Sequence, residues 1–482
     1  MKHRVFLRHC DRYDAGRIQD IVGETMDALA LRPHGRTMVK PNGVMAGRNF
    51  PHAHTRSEFL DGVLGALRER DENVDRLQVG ERSGITVPTR YVFRQAGFLP
   101  VLKRHNAEFR PFDEEQQVKV SLTGEARLRD FIFVPETVAH TDFFVNCPKF
   151  KAHPWTTVTF SLKNYIGIQD DRHRLIDHDH RLDEKIADLQ EVIQPRLVAI
   201  DAIVAGQRSM LTPSPFPLHL VILGDNQVAV DAVCARILGL DPSTIEHIRF
   251  SAERGIGSFE RGDISIEGDV SFEDACERAE GFEVGRQRVE PFFEGTPVQA
   301  IAGPPPEPER TDYCWGGCPG AAQEAVEVLR LMDPDLDETL RPMTLVFGKV
   351  DEPIVPVGDN PVVFIGDCAS HSGCVRGEEV VIESLYQERS SNCPHRARMP
   401  DIFVKIVQMF RRLFGARRKN VIRLPGCPVS MAEQVYALSN LGGVANPYFK
   451  PNEFLQFLRS WVSWRAVKLW RWVRRRPYQT TV

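Results

Sequence analysis

The chain has 482 residues, 42% hydrophobic and 26% charged, proportions that exclude wholesale disorder and fit roughly two to four globular domains. A formal net charge of −4, with no basic excess in the body of the chain, argues against nucleic acid as a partner. No apolar run approaches the ~18 residues of a membrane span, and ten cysteines are too sparse for a disulfide scaffold; the polar start MKHRVFLRHCDRYD is expected not to be a signal peptide, and a cytoplasmic protein with reduced thiols is expected.

The elements before residue 295 alternate between short apolar runs and helical patterns. TMV at 37–39 runs into Lys40-Pro41-Asn42-Gly43, and residues 55–69 carry apolar residues at helical spacing behind a Thr. RLQVGERSG at 76–84, DFFVNCPKF at 142–150, RLVAIDAIVAG at 196–206 and LHLVILGDN at 218–226 repeat the strand-like theme. The helical pattern VAVDAVCARILGL follows the last of them at 228–240. The alternation predicts an α/β fold with a mostly parallel sheet and helices on its faces, which places a ligand site at the carboxyl ends of the strands. Lys40, Asn42, Glu81, Ser83, the stretch 149–153 and Asp201 all fall at such ends.

NCPKFKAHPWTTVTFSLKNYIG, residues 146–167, gathers ammonium, hydroxyl and amide donors with no acid among them. That donor set suits an anionic small molecule, with Lys40, Asn42, Lys149, His153, Lys163, Asn164 and Asp201 as the candidate binding residues. The alternative is a solvated basic loop. Asp201 and Asp231 are weaker members, and Asp231, inside a helical pattern, has a structural cap or ion pair as its alternative. Downstream, DDRHRLIDHDHRLDEK at 170–185 has the ingredients of a divalent-metal site at residues 173–180, yet reads better as a solvated, salt-bridged loop. No P-loop and no dinucleotide fingerprint occurs.

Residues 295–313 hold five prolines and read as a linker that neither pairs in a sheet nor continues a helix. The expected organisation is an α/β domain over 1–294, the linker over 295–313, a cysteine-containing α/β domain over 314–450, and a basic, Trp-rich helix over 451–482. In the third part, 343–349, 361–366 and 420–424 read as strands, and 321–332 and 428–443 as helices. This predicts a second, smaller sheet.

Cys314, Cys318, Cys368 and Cys427 fall beside the ends of these elements. Four thiolates at one sheet edge are what a [4Fe–4S] cluster requires; zinc is the alternative, although structural zinc usually takes two closely spaced cysteine pairs. Cys374 and Cys393 are the substitutes should one of the four fail. The tail FLQFLRSWVSWRAVKLWRWVRRR, 454–476, holds four of the six tryptophans and seven cations with no acid, which suits an interfacial helix on an anionic bilayer. FRRLFGARRK at 410–419 adds further cations. The tail is expected to be dispensable for folding but to set location, giving peripheral contact with the inner face of the membrane. The alternative is a terminal helix packed on the second sheet.

K-P-N at 40–42, N-C-P-K-F-K-A-H at 146–153, S-L-K-N-Y-I-G at 161–167, I-D-A-I-V-A-G at 200–206 and V-A-V-D-A-V-C-A-R-I-L-G at 228–239 resemble, over residues ~35–260, the prokaryotic family known as domain of unknown function 362. The resemblance implies an iron–sulfur association in many members and no settled reaction. Gly-Asp-Cys368-Ala-Ser-His-Ser-Gly and Pro-Gly-Cys427-Pro resemble the cluster loops of hydrogenase small subunits and of the 20-kDa subunit of NADH–quinone oxidoreductase. That second resemblance implies a flavodoxin-like sheet with a [4Fe–4S] cluster at its strand ends, though the first cysteine pair here is spaced C-x-x-x-C. Two functions are left open. One is an iron–sulfur redox or electron-transfer protein with an unidentified redox partner, an oxidoreductase if it is an enzyme. The other is a non-redox enzyme or binding protein for an anionic metabolite, with a structural cluster or zinc.

Overall fold

A computed structural model describes residues 2–47, 50–85, 87–309, 311–356, 358–386, 420–445 and 451–473. They divide into two compact units. The first comprises residues 1–171, 183–286 and 451–482, and the second comprises 172–182 and 287–450. The class is α/β, as expected, with a mostly parallel sheet in each unit.

The first unit is built on a ten-stranded sheet. Its parallel part runs Leu197–Gln207, Phe143–Cys147, His34–Pro41, Asn73–Glu81 and Glu108–Pro111, each hydrogen-bonded to the next. Ser214–Gly224 joins antiparallel to Leu197–Gln207 and passes the ladder to His3–His9. These strands are apolar on both faces because helices cover both sides, which is what parallel sheets require. The helices Ala15–Ala28 and Ser57–Arg68 bury Ile18, Val22, Phe59 and Val63 in the main core.

Pairing in register sets the ligand-site residues. Lys40 stands opposite Asn146, and Asp201 stands opposite Lys149. The stretch after Cys147 is the buried strand Lys149–His153, not a loop, because Leu197–Gln207 is long enough to pair with it beyond Phe143–Cys147.

The second unit has a five-stranded sheet. Val298–Ala302, Met343–Val350, Val362–Val375 and Val421–Leu424 lie side by side in parallel, and Glu378–Ile382 folds back antiparallel on Val362–Val375. Two expectations need correcting here. The proline-rich stretch 295–313 contains the strand Val298–Ala302, since VQAIA lies between the prolines and leaves its N–H groups free to pair. The strand expected at 361–366 continues to Val375, carrying Cys368 and Cys374 within it.

The last helix of this unit begins at Met431 and not at Pro428. Ser430 accepts from the Glu433 backbone N–H, and the Glu433 side chain accepts from Ser430 in return, closing a capping box.

The tail helix Pro451–Val473 belongs to the first unit, which corrects the alternative of a terminal helix packed on the second sheet. Phe457 meets Tyr91 edge-on at 5.6 Å, the Gln95 side chain donates to Gln456 at 2.9 Å, and Trp464 is buried. Removing the helix would uncover these apolar surfaces. FRRLFGARRK at 410–419, Cys393 and residues 474–476 lie outside the described residues.

Candidate functional site

The first unit brings Lys40, Asn42 and Asn164 into one hydrogen-bonded network. Lys40 Nζ donates to Glu81 at 2.7 Å and to Asn164 Oδ1 at 3.3 Å, and Asn42 Nδ2 donates to the same Asn164 oxygen at 3.3 Å. Asn164 in turn donates to Asn146 at 2.8 Å. Lys149 lies in a second network, with Asp201 at 2.9 Å and the Tyr13 hydroxyl at 2.8 Å. The Tyr13 hydroxyl donates to Asp201, and the Arg56 backbone N–H also donates to that carboxylate. Both Lys40 and Lys149 are fully buried.

The sequence stretch 146–167 lacks acids, but the fold supplies them from other strands. Glu81 answers Lys40 and Asp201 answers Lys149, so neither ammonium is left as an uncompensated charge. His153 accepts the Trp155 backbone N–H at 3.1 Å, and Lys163 is half-buried in the short helix Ser161–Asn164. Asp231 holds that helix in place. Its carboxylate accepts from the Ser161 N–H and hydroxyl and from the Leu162 N–H, and burial raises its pKa to about 6.

Two residues that sequence reasoning missed border the Lys149 network. Tyr13 lies between the first strand and first helix, where nothing in its neighbours signals a role. His54 is buried with its Nδ1 unpartnered, and its pKa falls from 6.5 to about 3. Burial is the larger cause; the charges of Lys149, Arg56 and Lys151 add to it. The unfolded chain then holds the proton more readily, so this contribution is present above pH 6.5 and is lost as pH falls towards 3. Replacing His54 with Gln removes the titration. The stability difference between wild type and His54→Gln should shrink by about 2 kcal/mol between pH 7 and pH 5, measured by urea unfolding. A constant difference would rule out a buried neutral His54.

In the second unit, Cys314, Cys318, Cys368 and Cys427 line one cavity with about 430 Å³ of empty space, its open mouth included. Local backbone geometry explains how singly spaced cysteines reach it. Phe347 pairs with Ile365 but Lys349 pairs with Ser370, so the strand Val362–Val375 bulges between them. Cys368 rides on that bulge. Gly366 opens it with φ +111°, and a side chain there would lie 3.3 Å from Cys318 Sγ and 3.5 Å from Cys368 Sγ. The positive φ favours a residue without Cβ here, and a Cβ would crowd the Cys318 sulfur. Cys318 is the first residue of the helix Cys318–Met332, and its Sγ accepts the Val429 backbone N–H at 3.2 Å.

Burial raises the pKa of all four thiols, and neighbouring charges add to the effect; the Cys368 thiol is pushed up to about 11. For Cys368, a hydrogen bond from the Gly348 backbone works the other way. Cys374 is exposed and is not among the residues lining the cavity. Among the described residues, no group of three or more His, Cys, Asp or Glu side chains is arranged to hold a metal ion.

The His-rich segment corrects another expectation. His173, Asp177 and Asp179 are buried, and residues 172–182 belong to the second unit. Asp179 lines the cysteine cavity, and its carbonyl lies 1.8 Å from where a side chain on Gly316 would begin. Arg181 pairs with Asp177 at 3.1 Å and with Asp179 at 3.5 Å. A loop this rich in charge becomes buried with ion pairs formed both within it and to Glu307 outside it.

Three comparisons bear on these units. A curated relative, "Thylakoid-associated protein sll1697" of Synechocystis sp., is 23% identical over 261 residues, covering 51% of this chain and 77% of its own length. A solved structure, the lactate racemase apoprotein from Thermoanaerobacterium thermosaccharolyticum, aligns with a TM-score of 0.33 at 11% identity, covering 71% of this chain and 69% of that one. Residues 37–236, which carry Lys40, Lys149 and Asp201, match the family model described as "Domain of unknown function (DUF362)".

Proposed function

We propose that the second unit holds a [4Fe–4S] cluster through Cys314, Cys318, Cys368 and Cys427, and that the protein works in electron transfer. The observation that carries this reading is the lining of a single cavity by four cysteines drawn from separate parts of the sequence. A tetrahedral zinc draws its sulfurs to within ~2.3 Å of one point, whereas a cube of irons and sulfides occupies a volume with thiolates around it. A cavity wall suits the second arrangement better than the first.

Such a cluster supplies one-electron exchange. The chain's own residues would set the conditions for it. The Val429 N–H donates to Cys318 Sγ, and the Gly348 backbone favours the Cys368 thiolate; donors to ligand sulfurs favour added negative charge. Asp179, in the same cavity, works against it, because its carboxylate adds negative charge. The cavity walls, from Tyr313, Phe347 and Ile365, limit water access.

The second reading, a non-redox protein for an anionic metabolite, is favoured by the first unit. Burial lowers the His54 pKa most, and the nearby charges of Lys149, Arg56 and Lys151 add to it, so three cations lie close to one buried imidazole.

The deciding test is metal and acid-labile sulfide analysis of anaerobically purified full-length chain. Iron with matching sulfide, and visible absorption that bleaches with dithionite, are expected. Colourless protein carrying zinc overturns the cluster and leaves the second reading.

A further inference from the structure

The outer face of the tail helix carries an apolar stripe that the inner face does not explain. Leu455, Leu458, Val462, Leu469 and Val473 are exposed and recur at spacings of three, four and seven residues, which is one face of a helix. Trp470 borders the stripe and is 56% exposed. The opposite face holds Phe457, Ser460 and Trp464, the residues packed into the first unit. The helix is therefore mounted on the body of that unit by one side and presents the other to solvent.

Two exposed arginines flank the stripe. Arg459 lies one residue beyond Leu458, and Arg465 stacks on Trp461 and Trp464 at 5.1 and 4.8 Å. The sequence from 454 to 476 contains no acid and continues into Arg474-Arg475-Arg476. An apolar stripe flanked by cations and tryptophan is complementary to a surface that is apolar below and anionic above. Among the described residues no helix is long and apolar enough to cross a membrane, which leaves an in-plane arrangement for this one.

We infer that this face of Pro451–Val473 docks on the surface of an anionic lipid bilayer, with the apolar stripe in the headgroup region and Arg459 and Arg465 at the phosphates. A second copy of the chain would bring like charges together, and a protein partner would need an acidic, apolar groove.

Full-length protein should co-sediment with vesicles of phosphatidylcholine containing phosphatidylglycerol at least tenfold more strongly than with phosphatidylcholine alone. The difference should shrink as salt is raised. Leu458→Asp combined with Val462→Asp should lower that binding at least tenfold with an unchanged melting transition, since neither side chain is buried. If that variant fails to fold, brominated phosphatidylglycerol vesicles should quench wild-type tryptophan fluorescence, and Trp470→Phe should remove much of the quenching. Equal sedimentation with both vesicle types, no sedimentation, or a variant whose only change is loss of self-association would each overturn the inference.

Discussion

Cys318→Ser protein, purified without oxygen, should carry at most about a tenth of the wild-type iron. Changes beside a metal ligand alone cost about 10–100-fold in affinity, so losing the ligand should cost at least as much. The serine oxygen is shorter and harder than a thiolate and suits iron–sulfur chemistry poorly. Cys314→Ser, Cys368→Ser and Cys427→Ser should behave alike, whereas Cys276→Ser, in the first unit, should keep its iron.

Gly366→Ala is the sharper test because it leaves all four thiols in place. The added methyl would crowd the Cys318 sulfur and touch that of Cys368, and φ +111° strains any residue with a Cβ. Iron should fall in this variant as it does in the serine variants. Full iron in Gly366→Ala would mean that iron is held elsewhere.

The sheets and the cysteines were legible in the sequence for a shared reason. Buried parallel strands are continuous apolar runs, and the cysteines stand out at their ends. What stayed hidden depends on contacts between distant segments. Val362–Val375 runs far past its apolar part because Glu378–Ile382 returns to pair with it, and DCASHSG carries no alternation to announce a strand. Val298–Ala302 was concealed by the prolines around it. Asp177, Asp179 and Arg181 looked solvated because charge density implies exposure unless partners are known, and here each is another's partner. The same limit applies to Lys40 and Lys149. Glu81 and Asp201 were visible as strand-end residues, but their pairing with those lysines follows from strand order and register, which a single sequence does not display.

That pairing leads to the second large effect. Lys149 and Asp201 are both fully buried, and burial lowers the lysine pKa while the carboxylate opposes the change. Lys149→Met keeps the length and apolar stem of the side chain but removes its charge, leaving Asp201 with only the Tyr13 hydroxyl and the Arg56 N–H as donors. Leaving one member of a buried pair uncompensated costs about 3–5 kcal/mol. The two remaining donors should put Lys149→Met near the lower end of that range in urea unfolding. Asp201→Asn should cost a similar amount, because the ammonium then faces a neutral amide.

The double variant removes both charges and should recover much of the loss, giving a coupling of about 2 kcal/mol or more in a double-mutant cycle. Additive losses would mean that water or another charge reaches the pair. In that event the two residues are better regarded as part of an open binding site than as a closed structural one. A strong coupling would instead assign the pair to holding the strands Lys149–His153 and Leu197–Gln207 in register. An anionic ligand would then have to be recognised by neighbouring groups such as Arg56, whose guanidinium lies over the Tyr13 ring at 5.1 Å and is held by Glu58.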